Sequence, residues 1–309
     1  MTSSTGTSPH RQHPDADHRH HHQHDEHDDE LAGLLDLDAE VLGAWLTTVT
    51  GLVADLRPDA GTVVDLGAGT GTGTLALAHR LPHATVVAVD RSPAMLDRLR
   101  AAADRAGVGG RVRTLEADLD GPWPATGAAD VVWAASSLHH LADPDRVLRD
   151  AHDALRPGGL AVVVELDRMP RVAPDDLPDA PGLGSRLAEA SSTWNRHPDW
   201  GPHLERAGLV LDGVHRLATE AVDGRYARTW LDRVRTRAHD LLAPADVAAL
   251  DRLLTQHPAA LDASPVRADR TVWVAHRPAA GTDVDGATTR TAPADVPATP
   301  HPTHDGGAR

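Results

Sequence analysis

No cysteine occurs anywhere in the chain, so neither a disulfide framework, nor a thiolate metal site, nor a cysteine nucleophile can contribute to its stability or chemistry. Phenylalanine and isoleucine are also absent, tyrosine occurs once, and every basic residue of the Lys+Arg class is an arginine. We read this as the codon bias of a GC-rich genome and draw no function from it. Long apolar runs are missing too. None approaches the roughly 20 residues that cross a bilayer, and the first thirty residues hold no apolar stretch of the kind a secretory signal needs. The expectation is a cytoplasmic protein with no membrane partner. A basic excess is lacking as well: at a formal net charge of −15 there is little with which to displace counterions from a phosphate backbone, so nucleic acid is not an expected partner.

What remains is enough for one large α/β domain with additions, since the chain has 309 residues. Residues 1–30 contain no Leu, Val or aromatic residue, but carry eight histidines between His10 and His27. Such a segment cannot bury enough apolar surface to offset its ordering entropy. Residues 279–309, rich in Pro, Thr, Ala and Asp, read the same way, which leaves 31–278 as the folded part. Imidazoles and carboxylates at the density of the histidine run suit Zn, Ni or Cu ions. A metal site also needs fixed, supported ligands, so none is assigned.

The most informative stretch is Val63-Val64-Asp65-Leu66-Gly67-Ala68-Gly69-Thr70-Gly71. A β-branched run ends in an acid, passes through alternating glycines and enters a helix-like pattern, giving strand, tight loop and helix. Loops of this kind lie at the carboxyl edge of a parallel sheet, where open α/β folds bind ligands. The dinucleotide fingerprint requires G-x-G-x-x-G. Read from Gly67 its third glycine falls on Thr72, and read from Gly69 on Thr74, so neither frame fits.

Further runs follow in order. The second ends in Asp90-Arg91-Ser92-Pro93, where an acid at a strand tip can accept hydrogen bonds from two ribose hydroxyls. The third leads into Glu116-Ala117-Asp118-Leu119. The fourth, Ala129-Asp130-Val131-Val132-Trp133-Ala134-Ala135, passes into Ser136-Ser137-Leu138-His139-His140-Leu141, and after a helical pattern Arg156-Pro157-Gly158-Gly159 opens a fifth strand. Over residues 60–166 this resembles the class I S-adenosylmethionine-dependent methyltransferases, in the small-molecule branch that holds the ubiquinone and menaquinone methylases.

The resemblance implies a Rossmann-like doubly wound α/β fold: a seven-stranded sheet of order 3-2-1-4-5-7-6 with the last strand antiparallel. It implies S-adenosyl-L-methionine as cofactor, S-adenosyl-L-homocysteine as product and a small-molecule O, N or C acceptor. Cofactor contacts are expected from Asp65, Gly67, Ala68, Gly69, Gly71, Asp90, Arg91, Met95, Asp118, Leu119 and Ser136, with Asp118 at the adenine amino group and Leu119 against the ring. If the acceptor must lose a proton, a base has to lie within hydrogen-bond reach. His139, His140 and Glu165 are the candidates, histidine having a suitable unperturbed pKa.

Outside that core, residues 31–56 carry apolar side chains at three- and four-residue spacing, the signature of an amphipathic helix, here expected to break near Asp38. In relatives such helices cover the cofactor, which places Trp45 near the site, although its ordinary fate is core packing. The Pro-rich stretch 168–184 reads as a loop over the site. Residues 209–217 and 271–276 read as strands six and seven, separated by an unusually long connection with helical patterns at 226–242 and 244–254. We take 31–58 as cover helices, 60–166 as the cofactor core and 219–268 as a helical lid. The oligomeric state is left open, a homodimer included. Two alternatives compete: an NAD(P)-dependent oxidoreductase, disfavoured by the glycine spacing, and a catalytically inactive nucleotide-fold binding protein with a metal-binding histidine tail.

Overall fold

Five runs, all but the third rich in valine or alanine, become the parallel strands β1 (Thr62–Leu66), β2 (Thr85–Asp90), β3 (Val112–Glu116), β4 (Ala129–Ala135) and β5 (Leu155–Leu166) of one sheet. The coordinates are a computed structural model describing residues 32–172, 177, 180–256, 258–279 and 294–295. Both expected tails lie almost wholly outside these residues, the histidine run included. Strands β6 (Val210–Leu217) and β9 (Arg270–His276) complete the sheet, β9 running antiparallel between β5 and β6. The order β3-β2-β1-β4-β5-β9-β6 is the one expected from the sequence. Ala294–Asp295 (β10) adds a two-residue parallel edge beside β6, where the sequence predicted no structure.

The inner strands β1, β2, β4 and β5 read as continuous apolar runs because both faces of the sheet are covered there, while the edge strand β3 exposes Arg113 and Glu116. Val63, Val86, Val131 and Val162 turn to one face, packed by helices α2 (Ala44–Leu56), α3 (Thr72–Arg80) and α4 (Pro93–Arg105), while Val64, Val87, Val132 and Val163 turn to the other, under α5 (Pro144–Ala154) and α7 (Gly201–Arg206). Helices α4 and α5 begin at Ser92 and Asp143, whose side chains accept hydrogen bonds from Met95 N and Arg146 N, each with proline at the first helical position.

A third apolar cluster lies outside these layers. Leu42 of α1 (Ala32–Leu42) joins Leu183 and Leu187 of α6 (Leu183–Ser191), Tyr226, Trp230 and Val234 of α8 (Gly224–Arg237), and Leu250 of α9 (Pro244–Gln256). The connection between β6 and β9 thus shares a core with α1 and α6. It also holds α10 (Pro258–Asp262) and a small antiparallel pair, β7 (Glu220–Val222) with β8 (Pro265–Arg267), which the sequence reading missed because three-residue strands carry no readable period.

The break between α1 and α2 falls at Gly43, not near Asp38, and turns the chain by 79°. A Cβ at Gly43 would run into the Ala39 carbonyl, whereas Asp38 is held within the helix by partners from distant parts of the chain. No single described helix is long and apolar enough to cross a membrane; α1 and α2 pass such a test only as this bent pair.

Candidate active site

Past the tip of β1 the chain folds back over its neighbour: Gly67 N and Ala68 N both donate to Val89 O of β2, at 2.9 and 3.0 Å. Gly67 has φ +69°, and a Cβ there would lie 2.6 Å from Ser137 Cβ, so only glycine lets the loop after β1 and the loop after β4 approach this closely. Gly71 serves packing. Its missing Cβ makes room for Leu99, 2.5 Å from where that atom would stand, and it is the one expected cofactor residue that does not line the cleft.

Asp90, at the tip of β2, organises the loop through both oxygens. Oδ2 accepts from Gly69 N at 2.8 Å and Oδ1 from Ser92 N at 2.9 Å. Each carboxylate oxygen keeps a further lone pair for a sugar hydroxyl. Asp118, exposed after β3, accepts from Asp120 N at 2.9 Å, and the neighbouring Leu119 is buried. Ser136 is the one described non-glycine residue at positive φ, +54°, and such backbone strain concentrates at ligand-binding turns.

These elements surround a cleft of about 310 Å³ lined by Asp65, Gly67, Ala68, Gly69, Asp90, Arg91, Met95, Asp118, Leu119, Ser136 and His140. The opposite wall comes from α1 and α2, through Leu35, Asp38, Ala39 and Trp45. Trp45 therefore serves both roles considered for it, as it also stacks on Trp133 of β4 with ring centroids 6.3 Å apart.

Of the three candidate bases only His140 faces the cleft. Glu165 is buried and fully engaged: Oε1 accepts from Ser137 N at 3.0 Å and Leu138 N at 2.9 Å, and Oε2 pairs with His139 Nδ1 at 2.6 Å. On its far side His139 Nε2 accepts from Asn195 Nδ2 at 3.1 Å, which assigns the ring proton to Nδ1 and donates it to Glu165. Glu165 and His139 thus tie down the loop after β4 and do not line the cleft.

The site's two perturbed groups follow from its burial. Asp65 is pushed up to about 7, chiefly by desolvation and further by the charge of Asp90, against a 2.6 Å hydrogen bond donated by Thr74. His140 is held down to about 4, chiefly by desolvation at the cleft mouth and further by the positive charges of Arg91 and Arg237. Because the ring also keeps an exposed edge, the consequence that matters is the direction: it is neutral at pH 7.

Residues 63–159 match the family model described as a methyltransferase domain. The trans-aconitate 2-methyltransferase of Azoarcus sp. is 37% identical over 212 residues, 62% of this chain and 79% of that protein. The chain belongs to the S-adenosylmethionine-dependent methyltransferases. Two other relatives are the demethylmenaquinone methyltransferase of Thermus thermophilus, 36% identical over 47% of the chain and 63% of that protein, and the malonyl-[acyl-carrier protein] O-methyltransferase of Laribacter hongkongensis, 37% identical over 59% of each. The chain thus spans about three-fifths of the length of those two. A putative methyltransferase from Bacillus halodurans has the same fold, with a TM-score of 0.51 at 18% identity, covering 75% of this chain and 98% of the other. The oxidoreductase alternative finds no support in these relatives.

The residues of the cleft fit the family's cofactor. Gly69, at φ +54°, is a bare cradle: a Cβ would enter the space between the loop and the cover helix, 3.4 Å from Leu35 Cδ1. Beside it stands the Asp90 carboxylate, suited to a sugar. Sequence reasoning missed Asp38, Trp133 and Asn195. Asp38 and Trp133 sit inside regular helix and strand patterns, and Asn195 in an irregular stretch, so nothing local marks them.

Proposed function

We propose that this protein transfers the methyl group of S-adenosyl-L-methionine to a small-molecule oxygen, nitrogen or carbon acceptor in the cytoplasm, releasing S-adenosyl-L-homocysteine. The observation that carries this reading is the Asp90 carboxylate bound to Gly69 N at 2.8 Å on the rim of the cleft, which brings a sugar-binding acid and a bare glycine loop together. When bound, the cofactor supplies an already activated sulfonium methyl, so the protein's task is to place the acceptor, exclude water and receive any proton released.

Asp65, Gly67, Ala68, Gly69, Asp90, Arg91, Met95, Asp118, Leu119 and Ser136 would hold the cofactor, with Gly71 supporting the loop from behind. His140 is assigned as the proton acceptor. A neutral imidazole pushed well below its ordinary pKa is a weak base, yet it suffices for a hydroxyl, whose proton becomes steeply more acidic as the oxygen takes up the methyl. His139 and Glu165 are positioning residues, and residues 219–268 a lid whose helices shape the acceptor pocket. The relatives' names specify widely different acceptors, so they support a small molecule without choosing one.

Calorimetric titration with S-adenosylhomocysteine tests the assignment. Asp90→Ala should weaken binding by about 1–3 kcal/mol through lost charge-assisted hydrogen bonds; an unchanged dissociation constant would remove the basis for the reading.

A further inference from the structure

Arg237, exposed at the end of α8, has no acid partner among the described residues. Other arginines of the same helix are paired: Arg225 with Glu40, Arg228 with Asp262 and Arg235 with Asp251. What Arg237 touches is aromatic, its Cζ lying 4.6 Å from the centroid of the Trp194 ring. Trp194 leans in turn on Trp230 of α8, with ring centroids 6.0 Å apart, so the cation rests on a packed platform. A guanidinium over a ring uses one face and leaves its in-plane fork of N–H donors free for a planar anion.

The platform leads to the cleft. Asn195, next to Trp194, donates to His139, whose ring lies 4.0 Å from that of His140, and His140 lines the cleft. The charge of Arg237 is accordingly felt at the His140 ring, together with that of Arg91 from the loop after β2. Two cations from different walls thus act on the group assigned as proton acceptor. The acids of the cleft are committed elsewhere. Asp65, Asp90 and Asp118 belong to the part read as holding the cofactor, whose sulfonium is itself positive. Asp38 is ion-paired with Arg270, and Asp120 accepts from Ala142 N at 2.9 Å.

We propose that Arg237, seated on Trp194, selects the acceptor by binding a carboxylate that the acceptor carries, a bidentate match for the guanidinium fork. The acceptor is then a carboxylate-bearing small molecule whose reacting atom lies beside His140. This rests on the reading of the cleft as a methyl-transfer site.

The test uses the full chain saturated with S-adenosylhomocysteine and ligands in matched pairs: benzoate with benzamide, phenylacetate with phenylacetamide and succinate with succinamide, beside inorganic phosphate. Calorimetry should show a carboxylate bound at least about tenfold more tightly than its amide, the scale of one hydrogen bond to a charged group. Arg237→Gln should abolish that preference with amide binding unchanged, and Arg237→Lys should keep part of it. S-adenosylhomocysteine affinity should stay at the wild-type value in both variants. If Arg237 served only packing or the negative end of the helix dipole, acid and amide would weaken together. That result, an acid preference that survives in Arg237→Gln, or a wild type that favours no carboxylate over its amide overturns the proposal. Phosphate bound in preference to every carboxylate overturns it too, in favour of a phosphorylated acceptor. Failure of the wild type to bind S-adenosylhomocysteine would instead sink the cofactor reading itself.

Discussion

Asp65 sits between two demands. It ends the first strand, where the glycine loop must begin, and it is buried there with a single hydrogen-bonding side chain, Thr74. Its pKa is raised from 3.8 to about 7, so the folded protein binds a proton more tightly than the unfolded chain does. The stability it contributes is present in full below about pH 4 and lost as pH rises through about 7. Asp65→Asn should therefore flatten the fall in stability of the ligand-free protein between those limits, as read by urea unfolding at a series of pH values. A parallel decline in both proteins would show that Asp65 does not titrate in this window. The sequence announced Asp65 and Asp90 because each terminates a β-branched run at a strand tip, where local pattern and position in the fold coincide. Asp38 was illegible for the opposite reason. Its partners, Arg270 Nη2 at 2.7 Å and the Tyr226 hydroxyl at 3.1 Å, are fixed by the tertiary structure alone.

Among the elements, the loop after β4 gave the least reliable reading. Its paired histidines looked like two equivalent candidates, but the backbone sends them in different directions, with His139 toward Glu165 and Asn195 and His140 toward the cleft. Adjacent residues in an irregular loop have no period from which to read facing, unlike those of a strand or helix. Glu165→Gln removes the charge from three hydrogen bonds at once. It should cost about 1.5–3 kcal/mol of stability and weaken S-adenosylhomocysteine binding, since Ser136 and His140 sit on the loop it anchors. Denaturant titration beside calorimetry checks both, and normal affinity in a destabilised variant would confine Glu165 to stability. The inner parallel strands were legible because burial on both faces leaves runs rich in valine. The small hairpin and the Gly43 bend were not, one being too short and the other depending on a contact with Ala39.

For the whole molecule, the cleft is assembled from the sheet's carboxyl edge on one side and the cover helices on the other. Among the described residues no group of three or more His, Asp or Glu side chains is arranged to hold a metal. Removing residues 1–30 should leave methyl transfer and S-adenosylhomocysteine affinity nearly unchanged; loss of turnover in the truncated protein would give the histidine run a functional role.

The ion pair between Asp38 and Arg270 spans 232 positions of chain. At about 5–20 residues per second on the ribosome, the first cover helix emerges on the order of 10–50 seconds before the arginine that fastens it. For that interval the nascent sheet carries its glycine loop without the fastened outer wall, and closure is among the last steps of assembly. The cleft thereby lacks its fastened wall until nearly all of the folded part has been synthesised.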